Sequence, residues 1–187
     1  MVAIMLLNLL IALAAPVDAA VVADVQFADT ATVAGQSITI NGAGLREFAW
    51  VDLYVGALYL PRPMTDPNSI IKGEMPKRIV LHFVFKEVPK NRLGETFTDR
   101  IEDDPALQAI EPEIRRMVSL FETMYAGDEM ILDYVPGRGV VLSIKGVEKG
   151  VFPGEAFMHA TFDFFLGKDP IHTGLKKAML KGQIPSG

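Results

Sequence analysis

The chain has 187 residues, half of them apolar, with a mean hydropathy of +0.27 and a formal net charge of −5. That length favours one domain with a sizeable core over two. Eighteen Lys and Arg against 23 Asp and Glu, with no basic block and no interleaving of Arg with aromatics, argue against nucleic acid as a partner; zero cysteines exclude disulfides, thiolate metal sites and a cysteine nucleophile.

Met1 to Ala15 is an almost unbroken apolar run, followed by the small-residue stretch Pro16-Val-Asp-Ala-Ala20. The run is too short for a comfortable transmembrane helix and fits the apolar region of a secretory signal, with Val17 and Ala19 before a cleavage at Ala20. No Lys or Arg precedes it, so the alternative of an uncleaved N-terminal anchor stays open. The expected organisation is a signal peptide at 1–19 and one domain at 20–187, with no transmembrane segment after cleavage. Export without cysteines points to a bacterial periplasm rather than to a small eukaryotic secreted domain, which usually needs disulfides.

Short β signals follow at Val21–Phe27, Thr30–Val33 and Ser37–Ile40, with a hairpin turn at Ala34-Gly-Gln36. Gly42-Ala-Gly44 reads as a small-residue turn that delivers Arg46 to the edge of a long strand, Arg46–Leu60. Phe48, Trp50, Tyr54 and Leu58 fall on one parity of that strand, and Val51, Leu53, Val55, Ala57 and Tyr59 on the other. Both faces are largely apolar, so the strand is covered on both sides or borders a cavity. Pro61-Arg-Pro63 ends it.

Thr65–Met75 reads as a polar loop with a short turn at Pro67–Ile71, and Lys77–Val88 as a strong strand. Pro89 opens a helix with Leu93, Phe97 and Ile101 at i, i+4, i+8, and a second helix runs to about Met124. Strands at Glu129–Tyr134 and Val140–Ile144 flank the hairpin signal Pro136-Gly-Arg-Gly139, and Val151-Phe152 is a short third piece. Pro153 starts a helix that reaches Gly167, and an amphipathic segment, Pro170–Leu180, closes the domain. A mainly antiparallel sheet with helices inserted as a block is an α+β arrangement.

The residue that carries most chemistry is Arg46. Its guanidinium is a rigid fork of donors that desolvation does not neutralise, so beside an apolar wall it suits a lipophilic anion such as a fatty-acid carboxylate or a phenolate. The plain alternative is a salt bridge to a nearby acid. His82, His159 and His172 have no second ligand at metal spacing, His159 and Asp163 read as a local i, i+4 pair, and no G-x-S-x-G elbow occurs. No metal and no cofactor is expected.

The motifs Gly42-Ala-Gly-Leu-Arg46, Leu53-Tyr-Val-Gly-Ala-Leu-Tyr-Leu60, Pro76-Lys-Arg-Ile-Val-Leu81, Gly127-Asp128, Tyr134-Val-Pro-Gly137 and Phe165-Leu-Gly-Lys168, in this order, resemble the chalcone isomerase-like family, and more closely its bacterial exported branch. The resemblance spans nearly all of residues 30 to 182. It implies an open-faced β-sandwich of chalcone isomerase type: a large antiparallel sheet, a helical layer on one face and a ligand cleft between them. Within that family some members cyclise chalcones and others hold a fatty acid without catalysis. The resemblance places the family arginine on Arg46 and a strand threonine on Tyr54, the latter as in the fatty-acid-binding branch. The helix Tyr and Asn positions fall near Arg92 and Asp99, and the late Thr/Ser position near Phe164. The arginine is kept and the other isomerase donors are not.

These readings give a leading expectation: a monomeric, periplasmic, non-catalytic binder of a fatty acid or similar lipophilic anion, with Arg46, Trp50, Tyr54, Asp99 and Phe164 around the ligand. Two alternatives remain beside it: an intramolecular lyase or isomerase acting on a chalcone-like enone, and a pocketless envelope module that binds a partner, its cleft filled by Trp50, Phe164 and Phe165.

Overall fold

The computed structural model describes residues 19–182. The expected signal peptide therefore lies outside the described residues, except that Ala19 begins the first strand. Strands β1 (Ala19–Val22) and β2 (Val25–Ala28) form a hairpin of their own. A seven-stranded antiparallel sheet is built from β3 (Thr30–Val33), β4 (Gln36–Phe48), β5 (Val51–Leu60), β6 (Lys77–Phe83), β9 (Glu129–Val135), β10 (Gly139–Ile144) and β11 (Val147–Phe152), in the order β11-β10-β9-β6-β5-β4-β3. A small pair, β7 (Glu87–Val88) with β8 (Met124–Tyr125), stands apart. The helices are α1 (Pro67–Lys72), α2 (Lys90–Thr98), α3 (Pro105–Gln108), α4 (Glu111–Ser119), α5 (Glu155–Leu166) and α6 (Thr173–Met179).

The sheet curls until β3 approaches β9, and each face has its own core. Val33, Ile38, Val55, Ala57, Tyr59 and Val80 fill the inner curve, closed by Val25 and Phe27 of the β1–β2 hairpin. The Tyr59 hydroxyl donates to the Ala28 carbonyl at 2.8 Å and ties that hairpin down. The outer face carries Leu58, Leu60, Ile79, Leu81, Leu132 and Leu142 under the helices. The double-sided burial expected for the Val51–Leu60 strand is observed.

Several sequence expectations change. The strand read over Val21–Phe27 is a hairpin instead, β1 and β2 meeting at a turn of Ala23 and Asp24 with positive φ. The long strand is two strands, because Ala49 and Trp50 turn the chain back with φ of +47° and +72°, a two-residue hairpin connection. Gly42-Ala-Gly44 is not a turn but the middle of β4. A Cβ on Gly42 would strike the Ala178 and Met179 carbonyls, and one on Gly44 the Ala178 methyl, so these glycines seat α6 against the sheet. Asn41 locks the arrangement, donating to the Met64 and Met179 carbonyls at 2.8 Å each. The strand expected over Lys77–Val88 stops at Phe83 and resumes as β7. The helix expected to reach Met124 ends at Ser119, whose hydroxyl donates back to the Arg116 carbonyl at 2.7 Å, and Met124 instead pairs with Val88.

Pro67 at the first turn and Asp66, accepting from the Ser69 N–H at 2.8 Å, start α1. Its C-terminal end is held from β6: the Lys77 amine, 0% exposed, donates to the carbonyls of Ile70 (2.6 Å), Gly73 (2.9 Å) and Ile71 (3.0 Å). Phe162 stacks on the same amine at 4.4 Å. Burial pushes the Lys77 pKa down to about 7.

Candidate functional site

Where β4 and β5 run towards their hairpin, the ladder carries a bulge. Arg46 pairs with Tyr54 and Glu47 with Asp52, so Leu53 is the extra residue. Its carbonyl accepts from both Val84 (3.0 Å) and Phe85 (3.2 Å) instead. A bulge shifts the side-chain alternation by one. Leu53 and Tyr54, which fall on opposite parities in the sequence, consequently face the same cleft.

That cleft has a volume of about 720 Å³ and lies between this end of the sheet, α2 and the chain leaving α5. Its apolar wall includes Phe48, Leu53, Phe83, Phe85, Leu93, Phe164 and Ile171. Phe164 stacks on Phe97 with ring centroids 4.1 Å apart and planes 4° from parallel, which fixes the wall.

Three guanidiniums line the cleft. Arg92 lies 3.1 Å from Glu95 and Arg100 3.4 Å from Asp169, and Arg100 also sits over the Phe164 ring at 5.3 Å. Arg46 differs: it is 8% exposed and makes no ion pair among the described residues. It sits over the Tyr54 ring, the guanidinium carbon 5.4 Å from the ring centroid. Tyr54 is itself 1% exposed; burial raises its pKa, and the charge of Arg46 works against that rise. The phenol therefore keeps its proton; its oxygen can accept from the Arg46 guanidinium, which leaves the O–H available to donate.

The model of the chalcone isomerase-like family matches residues 19–181. The chain belongs to that family. No curated protein matches its sequence. Among solved structures it is similar to an Arabidopsis thaliana fatty-acid binding protein, with a TM-score of 0.68 at 13% identity over 84% of this chain and 92% of that one. At that identity the likeness is one of fold: the curled antiparallel sheet with its helices is the chalcone isomerase-like fold.

On this fold, Arg46, Tyr54, Asp99 and Phe164 all border one cleft, although residues 46 and 164 are far apart in sequence. Trp50 does not join them. It stands at the hairpin tip, 101% exposed, because the turn swings it out of the alternation that the sequence implies. Asp99 is exposed on the rim, at the C-terminal end of α2. The pair read between His159 and Asp163 is replaced by His159 with Glu155, at 3.5 Å. Sequence reading missed Phe85, Arg100 and Ile171. For Arg100 a signal existed: Arg92, Thr96 and Arg100 recur at i, i+4, i+8, a polar stripe beside the apolar stripe of Leu93 and Phe97. Among the described residues, no group of three His, Asp or Glu side chains is placed to hold a metal.

Proposed function

We propose that the protein holds a fatty acid or a similar lipophilic anion in this cleft, its carboxylate on Arg46 and the Tyr54 hydroxyl and its chain along the phenylalanine wall. One observation carries this reading: Arg46 is a buried cation at the head of an apolar cleft, with no carboxylate of its own among the described residues. A charge removed from water without a partner is costly, and a bound anion removes that cost with charge-assisted hydrogen bonds. A volume of about 720 Å³ falls within the usual range of small-molecule sites.

The same residues bear on the alternatives. Cyclising an enone needs preorganised donors where charge develops, and Phe164 offers none. A filled, pocketless cleft is at odds with the outward Trp50 and the open volume. Export through the N-terminal segment would place this binder outside the cytoplasm.

The test is to purify the protein without detergent, extract it with organic solvent and identify what it carried by mass spectrometry. A stoichiometric fatty acid or related amphiphile, missing from the Arg46→Ala extract, supports the reading. An empty extract together with no uptake on titration overturns it.

A further inference from the structure

We infer that the β4–β5 hairpin tip is a lipid-docking element, which seats the cleft mouth on a zwitterionic bilayer surface. This rests on the cleft taking a lipophilic anion, since such ligands reside in membranes.

The tip exposes large apolar side chains that the fold does not use. Trp50 is 101% exposed and Phe48 66% exposed. Phe48 flanks, and Trp50 is part of, a turn whose central residues, Ala49 and Trp50, sit at positive φ, where glycine or asparagine would be relaxed. A bulky aromatic in that conformation is strained, and it is held at the farthest point of a projecting hairpin rather than folded onto the sheet.

The tip is also continuous with the site. Phe48 is at once an exposed tip residue and part of the cleft lining, two positions along β4 from Arg46. Phe48 thus belongs both to the exposed tip and to the cleft that holds Arg46. A ligand leaving a bilayer past it would move its chain over aromatic surface and meet Arg46 with its carboxylate.

Two features choose the occupant. A narrow tip with a terminal tryptophan suits the soft interface of a bilayer, where indole rings concentrate at headgroup depth, more than a flat protein face. The charges on the adjoining segments have both signs: Glu47 and Asp52 are exposed on the hairpin itself, and Lys86, Glu87 and Lys90 are exposed on the segment leading from β6 into α2. That mixture, with no excess of basic side chains, suits a zwitterionic headgroup layer rather than a strongly anionic one.

Trp50 is the chain's single tryptophan, so its emission reports on the tip alone. The experiment titrates the full chain with phosphatidylcholine vesicles, with and without brominated acyl chains. The expected result is a blue-shifted Trp50 emission that brominated chains quench. Phe48→Asp, which keeps the reporter, should weaken the shift about tenfold or more in lipid concentration, as expected for replacing an inserted aromatic by a charge. In stopped flow, Trp50→Ala should slow transfer of a fluorescent fatty acid from vesicles while leaving its affinity in vesicle-free buffer unchanged. An emission that vesicles do not move, or a shift that Phe48→Asp leaves intact, overturns docking by the tip. Because the emission arm needs no bound ligand, it fails or succeeds independently of fatty-acid binding.

Discussion

Arg46 and Tyr54 are direct partners across the β4–β5 ladder, and both turn to the cleft. One offers a permanent positive charge and the other a neutral hydroxyl whose proton burial retains. Together they make a donor pair at the head of an apolar chamber. The geometry depends on the Leu53 bulge, which brings Leu53 to the cleft beside Tyr54.

Tyr54→Phe removes the hydroxyl and keeps the ring, which packs on Phe83 at 5.4 Å. Fatty-acid affinity should fall by about 0.5–1.5 kcal/mol, the net worth of one neutral hydrogen bond. Calorimetric titration checks this, with the melting temperature as the control for intact packing. An unchanged affinity would remove Tyr54 from the site.

Gly44→Ala should destabilise the fold by roughly 1–3 kcal/mol, because the new methyl meets that of Ala178 where α6 crosses β4. Ala178→Gly costs about 1 kcal/mol alone as a helix glycine. In the double variant the clash is relieved, so denaturant melts should show the two changes costing less together than their sum. Strict additivity would mean that Gly44 does not seat the helix.

Tyr59 gives a pH window. Burial raises its phenol from 10.0 to about 12, opposed by Arg78. Between these values the unfolded chain releases a proton that the folded one keeps, so stability is intact below pH 10 and falls as pH rises towards 12. Denaturant midpoints measured across this range should decline. Tyr59→Phe should make the decline shallower while costing about 1 kcal/mol at neutral pH through loss of the bond to Ala28.

Much of the fold was legible because its punctuation is local. Pro61, Pro89 and Pro153 end a strand or begin helices through their own backbone chemistry, and the Val140–Ile144 hairpin announces itself in Pro136-Gly-Arg-Gly139. The errors arise where a residue's role depends on something distant. Gly42 and Gly44 look like a turn because their reason, the approach of α6, lies more than a hundred residues away. The true turn at Ala49-Trp50 carries no Gly, Asn or Asp to mark it, and it takes Trp50 out of the strand alternation, while the Leu53 bulge shifts that alternation once more before Tyr54. Arg46, Tyr54, Asp99 and Phe164 were read from family likeness and chemical type, and all four border the cleft. The i, i+4, i+8 spacing of Arg92, Thr96 and Arg100 marks a polar stripe, but that this stripe faces a cleft depends on the chain after α5, at Asp169 to Ile171, which no local pattern displays.

The most direct measurement is the affinity of Arg46→Gln for a long-chain fatty acid, beside that of the unaltered protein. The account predicts a loss of about 1.5–3 kcal/mol, roughly ten- to 150-fold, the worth of a charge-assisted contact. It also predicts a melting temperature equal or higher, since an unpaired buried cation has been removed. An affinity within twofold of the original, in a variant that folds normally, would contradict the claim that Arg46 anchors the ligand.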